Sequence, residues 1–190
     1  MNCFISGYWK NSLQLSDMTC GKGEDGLEEE RIEETVVDLL KKHHLIITTA
    51  ESCTGGMIGS RIVSVSGASD VYQMGFITYC DEAKHRLLQV RTETLEKYTA
   101  VSEQTAAEMA AGGAKAAGAD VCIAVTGYAG PGGGTKECPP GTVFISCYMS
   151  GTIETKRLQL EGDRSQVREG AAAKALELVC RRIILKYESQ

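Results

Sequence analysis

The chain has 190 residues, enough for one domain with an ordinary hydrophobic core. Its formal net charge is −5 and it has no clustered run of Lys and Arg, which argues against binding to a phosphate backbone. No apolar run approaches the roughly 20 residues a membrane span requires.

Residues 1 to about 25 show no sustained period and are rich in Ser, Asn and Gly. They carry no basic segment followed by an apolar one, and no Arg, so they read as a flexible tail or an upstream start before Met18. The domain is expected over residues 26–190. Glu28 to His43 places Ile32, Val36, Leu39 and Leu40 on one helical face, with acids early and Lys41 and Lys42 late, as a helix dipole favours. His43 and His44 close this helix; with no third ligand at metal spacing, they read as partners of its C-terminal dipole.

Ile46 to Ala50 is an apolar, β-branched run expected to form a short buried strand. It breaks into Glu51-Ser52-Cys53-Thr54-Gly55-Gly56, after which Met57, Ile58, Ile62 and Val63 resume with helical spacing. Such a strand-to-helix turn points backbone N–H groups and a positive helix end at a docked ligand. The alternative is a tight βα turn with Ser or Thr as N-cap. Gly75 to Tyr79 reads as a second strand, followed by Asp81 as N-cap of a short helix through Leu88. Thr92 to Lys97 suggests a helical turn, and Ser102 caps a long Ala-rich helix to about Ala117. Ala119 to Thr126 is the most strand-like run, ending in a glycine-rich loop from Gly127 to Thr135. Gly141–Met149 and Thr152–Leu160 flank Ser150-Gly151 as an antiparallel hairpin, the second strand an edge with one wet face. Asp163 and Gln166 form a capping-box pattern before a last helix through Ile183. Together these elements predict an α/β fold: a single-domain sandwich of a mixed β-sheet flanked by helices.

Eight cysteines are scattered without a C-x-x-C pair, and Cys122 and Cys147 lie inside apolar runs where a thiol packs as a small hydrophobe. Neither a disulfide framework nor a metal site is expected, and a reducing cytoplasm is the expected compartment.

Three reactive positions follow strand ends: Ser52, Tyr79 and Lys84. Ligands of α/β sheets bind beyond strand carboxyl ends, so these side chains are candidates to converge. Serine needs a base, and a lysine serves only if its pKa falls from about 10.4 toward neutrality. Ser–Lys pairs are an established alternative to Ser–His–Asp triads. The competing readings are a solvated Lys84 paired with a neighbouring acid and a rim-packed Tyr79. Cys53 is a rival nucleophile, because a helix N-terminus lowers a thiol's pKa. The loop from Gly127 to Thr135 is not a Walker P-loop, but its small residues expose N–H groups suited to an anion, and Pro131 argues for a shaped loop.

The motifs AESCTGG at Ala50–Gly56, TYCDEAKHRLL at Thr78–Leu88, AVSEQTAAEMA at Ala100–Ala110 and VTGYAGPGGGT at Val125–Thr135 stand in order in one chain, with GTVFIS at Gly141–Ser146 and GDRSQVR at Gly162–Arg168. Together they resemble the C-terminal domain of the competence/damage-inducible protein CinA, which also occurs alone as a nicotinamide mononucleotide deamidase. The resemblance covers roughly Glu30 to the C-terminus. It implies hydrolysis of the carboxamide of nicotinamide mononucleotide to nicotinic acid mononucleotide and ammonia, without cofactor or metal. It also implies Ser52 as nucleophile, favoured over Cys53, with Tyr79 and Lys84 assisting. Backbone N–H groups near Thr54, Gly55 and Gly56 would hold the oxyanion, with Cys53 beside them in the substrate-binding turn. Gly127, Ala129, Gly130, Gly132 and Arg164 would hold ribose or phosphate, although a surface charge at a helix start is an equal reading of Arg164. Cys80-Asp81 and Cys138-Pro139-Pro140-Gly141 depart from the family's usual residues, and Asp81 adds a negative charge close to Lys84. No pyrophosphatase activity is expected. Small enzymes of this size are commonly symmetric, so a homodimer or higher homo-oligomer is expected. A non-catalytic nucleotide-binding module and a Cys53-dependent amidase are the alternatives.

Overall fold

The structure is a computed structural model that describes residues 31–189, so the expected N-terminal tail and the alternative start at Met18 lie outside the described residues. Its described elements run α1 (Ile32–Lys42), β1 (Ile47–Glu51), α2 (Met57–Val63), a 3-10 turn (Ala68–Asp70), β2 (Tyr72–Ile77), α3 (Asp81–Leu88), α4 (Thr92–Tyr98), α5 (Glu103–Ala117), β3 (Val121–Gly127), β4 (Thr142–Met149), β5 (Thr152–Gln159) and α6 (Arg164–Tyr187). The five strands form one sheet in the order β2-β1-β3-β4-β5. β1 pairs in parallel with β2 and β3, while β3–β4 and β4–β5 are antiparallel, so the sheet is mixed.

Both faces of the sheet are covered, which is why β1 and β3 are buried along nearly their whole length rather than alternating wet and dry. One face packs Ile47, Ile123, Val125 and Ile145 against α1, α2 and α6 through Val36, Leu40, Ile58, Ile62, Leu176 and Val179. The other face packs Ala50, Cys122 and Ala124 against α3 and α5 through Leu88, Met109 and Ala110. Alanines and Gly113 let α5 lie close to the sheet; a Cβ at Gly113 would stand 2.6 Å from Cys122 Sγ.

The caps and turns follow their local chemistry. Ser102 accepts the Thr105 N–H at the start of α5, and Asp163 with Gln166 forms the full capping box of α6. Ser150 and Gly151 both take positive φ (50° and 80°), the conformation a tight hairpin turn needs. The second expected strand begins earlier than its Gly75–Tyr79 reading and ends before Tyr79. Asp81 is the first residue of α3 rather than its cap; Cys80 holds that position, with no side-chain cap. His43 ends α1, stacks on Tyr187 and meets the Glu188 carboxylate at 2.6 Å.

Candidate active site

The carboxyl ends of β1 and β2 lie side by side, with Thr78 N–H donating to Glu51 O at 2.8 Å. The chain leaves β1 into α2 on one face and leaves β2 into α3 on the other, and the crevice between such neighbours is where α/β sheets bind ligands. Ser52 follows β1 directly. Lys84 sits on the first turns of α3, which the short Thr78–Cys80 link folds back over the strand end.

There the structure brings Ser52 and Lys84 together. Lys84 Nζ is 3.3 Å from Ser52 Oγ and 2.9 Å from Thr78 O. Lys84 is only 1% exposed, and no carboxylate pairs with it among the described residues. The solvated, acid-paired reading of this lysine is thereby removed. Burial pulls its pKa below the ordinary lysine value; Asp81 and Cys80 pull in the opposite direction without overcoming it. A neutral lysine has two hydrogens and one lone pair. With one hydrogen committed to Thr78 O, the lone pair can accept the Ser52 proton.

Cys53 faces the other way. It is 6% exposed, packed in the core beneath α6, and burial pushes its thiol up to about 11. The expected activation by a helix end fails because desolvation of the thiolate outweighs it.

The helix end is itself occupied. Glu51, 1% exposed, accepts N–H groups from Gly56 (2.9 Å), Ile58 (3.1 Å) and Gly59 (2.9 Å). α2 is therefore capped from five residues upstream, by neither Ser nor Thr, and Gly56 adopts φ 96°, which favours glycine. Gly55 N–H donates to Ser52 O at 3.1 Å. Of the expected donors, Gly55 and Gly56 are thus already paired. The Cys53 and Thr54 N–H groups have no partner among the described residues, and the buried Thr54 and Thr78 hydroxyls are likewise unpartnered.

Tyr79 stands apart from the pair. It is 66% exposed, and its hydroxyl meets Arg164 Nη2 at 3.2 Å, not Ser52. Arg164 Nη1 also donates to Gly130 O at 2.9 Å, tying the glycine-rich loop to the start of α6. Ala129 and Gly130 line an open cleft of about 520 Å³ beside Arg164. Ser52 and Lys84 do not line it. Gly127 serves packing instead of a ligand: a Cβ there would fall 2.8 Å from Thr142 O on the neighbouring strand. Gly132 is exposed with open space around it.

Two residues escape a reading by reactive type, Glu51 and Arg168. Glu51 belongs to the same motif as Ser52, and an acid closing an apolar run is the signal for it. Arg168 on α6 donates to Cys53 O at 3.1 Å and Thr54 O at 2.8 Å. Its signal is membership of the Gly162–Arg168 motif, which gives no hint of the contact. The histidines lie elsewhere, His85 Nδ1 meeting Val90 O at 2.8 Å. Among the described residues no cluster of three His, Cys, Asp or Glu could hold a metal ion, and no helix is long and apolar enough to cross a membrane.

A search of known families matches residues 29–183 to the CinA C-terminal domain. A CinA-like protein of Kosmotoga olearia is 52% identical over 159 residues, covering 84% of this chain and 39% of that protein. A putative competence-damage inducible protein of Clostridium novyi is 48% identical over 155 residues, covering 82% and 37%. The chain thus spans about two fifths of the length of these relatives. Among solved structures, a CinA superfamily protein from Klebsiella pneumoniae superposes with a TM-score of 0.79 at 38% identity, covering 81% of this chain and 96% of that one. One from Escherichia coli gives 0.76 at 39% identity, covering 83% and 94%. The match runs through every described strand and through the Ser52, Lys84 and Arg164 segments, and the chain belongs to the CinA C-terminal domain family.

Proposed function

We propose that this chain is a serine amidase that removes the carboxamide nitrogen of nicotinamide mononucleotide, releasing ammonia and nicotinic acid mononucleotide. The observation that carries the reading is the buried Lys84 amine, 3.3 Å from Ser52 Oγ and without a carboxylate partner among the described residues. A lysine whose pKa burial lowers, beside a serine hydroxyl, is the arrangement that nucleophilic attack requires. The substrate itself is supported by the resemblance of the linked motifs.

Ser52 Oγ attacks the amide carbon while Lys84 takes its proton, giving a tetrahedral intermediate. Collapse expels ammonia, which leaves with the proton Lys84 returns to it. Water then attacks the acyl-enzyme, losing a proton to Lys84, and the Ser52 oxygen leaves as a hydroxyl. The pyridinium ring of the substrate is cationic, and its approach further disfavours the charged lysine. Arg164, Tyr79 and Gly130 bind the ribose phosphate end. Tyr79, with its hydroxyl on Arg164, acts in binding, and Lys84 alone handles the proton.

The test is ammonia release from nicotinamide mononucleotide by wild-type, Ser52→Ala and Cys53→Ala proteins. The reading expects loss only in Ser52→Ala. Loss only in Cys53→Ala would transfer the role to the thiol. Nucleotide binding without ammonia release from wild type would leave a non-catalytic binding module.

A further inference from the structure

The Ser52 turn holds a polar group the fold does not satisfy. Thr54 is fully buried, yet its N–H has no partner among the described residues, although buried backbone donors are almost always paired. Further along the turn the donors are committed, Gly55 N–H to Ser52 O and Gly56 N–H to Glu51, and Ser52 N–H goes to Val125 O at 3.0 Å. Cys53 N–H shares the unpaired state of Thr54 among the described residues, but of the two only the Thr54 N–H belongs to a peptide whose carbonyl a side chain holds.

What fixes the orientation of that donor is Arg168. Its Nε donates to Cys53 O, the carbonyl of the same peptide unit that carries the Thr54 N–H. A trans peptide is planar, so its C=O and N–H point in opposite directions. Holding the carbonyl toward α6 turns the N–H away from α6. The second guanidinium bond, to Thr54 O, prevents the next peptide from rotating in compensation. The result is a fixed, unpaired donor two residues beyond the nucleophile.

We infer that the Thr54 N–H is the donor for the oxyanion and that Arg168 is the positioning residue that aims it; this rests on the serine-amidase reading above. Arg168 itself touches no substrate atom. Its contribution is realised when the negative oxygen forms, so it acts on turnover and not on ground-state binding.

Steady-state kinetics on nicotinamide mononucleotide, with wild-type, Arg168→Met and Arg168→Lys proteins, test this. Pyridine-3-boronic acid is a second probe, because its boron takes the Ser52 oxygen and presents a tetrahedral anion whatever amide the enzyme prefers. In Arg168→Met, kcat falls about 100-fold, KM stays within about threefold, and boronate binding weakens about 100-fold, the scale of one lost oxyanion donor. Arg168→Lys, which reaches one carbonyl at a time, regains part of the loss, and added ethylguanidine rescues part of it in Arg168→Met. Unchanged kcat in a folded Arg168→Met, or a loss confined to KM, overturns the inference. Should Arg168→Met fail to fold, a lowered kcat at constant KM in Arg168→Lys carries the result, and an unchanged kcat overturns it. If wild type binds the boronate without hydrolysing the nucleotide, the substrate reading fails and the boronate ratio still decides Arg168. If wild type does neither, the serine reading and this inference fall together.

Discussion

Lys84 and Ser52 are 32 positions apart in the chain, yet the amine and the hydroxyl lie 3.3 Å from each other beneath the surface. Burial holds the lysine's pKa below its ordinary value, so the neutral form becomes available at lower pH than for a solvated lysine. Activity therefore rises with pH through this lowered pKa and then levels. Initial rates from about pH 6 to about pH 10 should show that inflection, and Ser52→Ala and Lys84→Met should each lose on the order of 100- to 10,000-fold in rate. An inflection at the ordinary lysine value would count against Lys84 as the base.

The same burial makes stability depend on pH. Between the folded and unfolded pKa values of Lys84 the unfolded chain binds more protons, so stability rises with pH across that window. Below the folded pKa the lysine is charged in both states and its burial cost is constant. Lys84→Met removes the charge-burial cost, so the difference in stability between wild type and Lys84→Met should shrink as pH rises. Urea titrations at several pH values measure it, and a pH-independent difference would contradict the assignment.

Cys53 is a core residue with its thiol pushed up to about 11. Iodoacetamide at neutral pH should leave it unlabelled in the folded protein while modifying the exposed Cys80. Cys53→Ala should retain activity within a few-fold and lose roughly 1–2 kcal/mol of stability, from the small cavity it opens.

Glu51 satisfies three N–H groups at the start of α2. Glu51→Ala leaves them buried without an acceptor and should cost about 2–4 kcal/mol, the sum of a lost cap and unmet donors. Glu51→Gln keeps one acceptor oxygen and should lose less. Thermal melts of the two variants decide the order.

Tyr79→Phe removes one hydrogen bond to Arg164 at an exposed position. KM should rise by roughly two- to tenfold with kcat nearly unchanged. A large fall in kcat would return Tyr79 to the proton path.

The architecture was legible where local chemistry and tertiary packing agree. The hairpin at Ser150-Gly151, the Ser102 cap and the Asp163–Gln166 capping box each express a backbone requirement through neighbouring residues. Ser52 and Lys84 were legible as residues at strand ends, but their meeting depends on α3 folding back over β2, which no local pattern encodes. The Cys53 thiol and the α2 cap depart from their sequence readings for different reasons: burial in the core sets the thiol, while the cap turns on Glu51. The sequence advertises a helix end, and only the folded chain shows that the Glu51 carboxylate has already taken its donors. Arg168 was invisible as a contact because its partners are main-chain carbonyls on a turn 114 and 115 positions away, which any sequence presents alike.

Glu51 also decides which ligands the nucleophile can host. With a carboxylate seated on the first turn of α2, the N–H groups of Gly56, Ile58 and Gly59 are already taken, so this helix end is closed to a phosphate. The guanidinium of Arg164 lies across the cleft mouth on the Gly130 side. On the amidase reading proposed above, the phosphate of the nucleotide is thus directed to the Arg164 end. Free phosphate or sulfate would compete at the Arg164 end and leave the serine untouched, so such salts should act as inhibitors of binding and not of acylation.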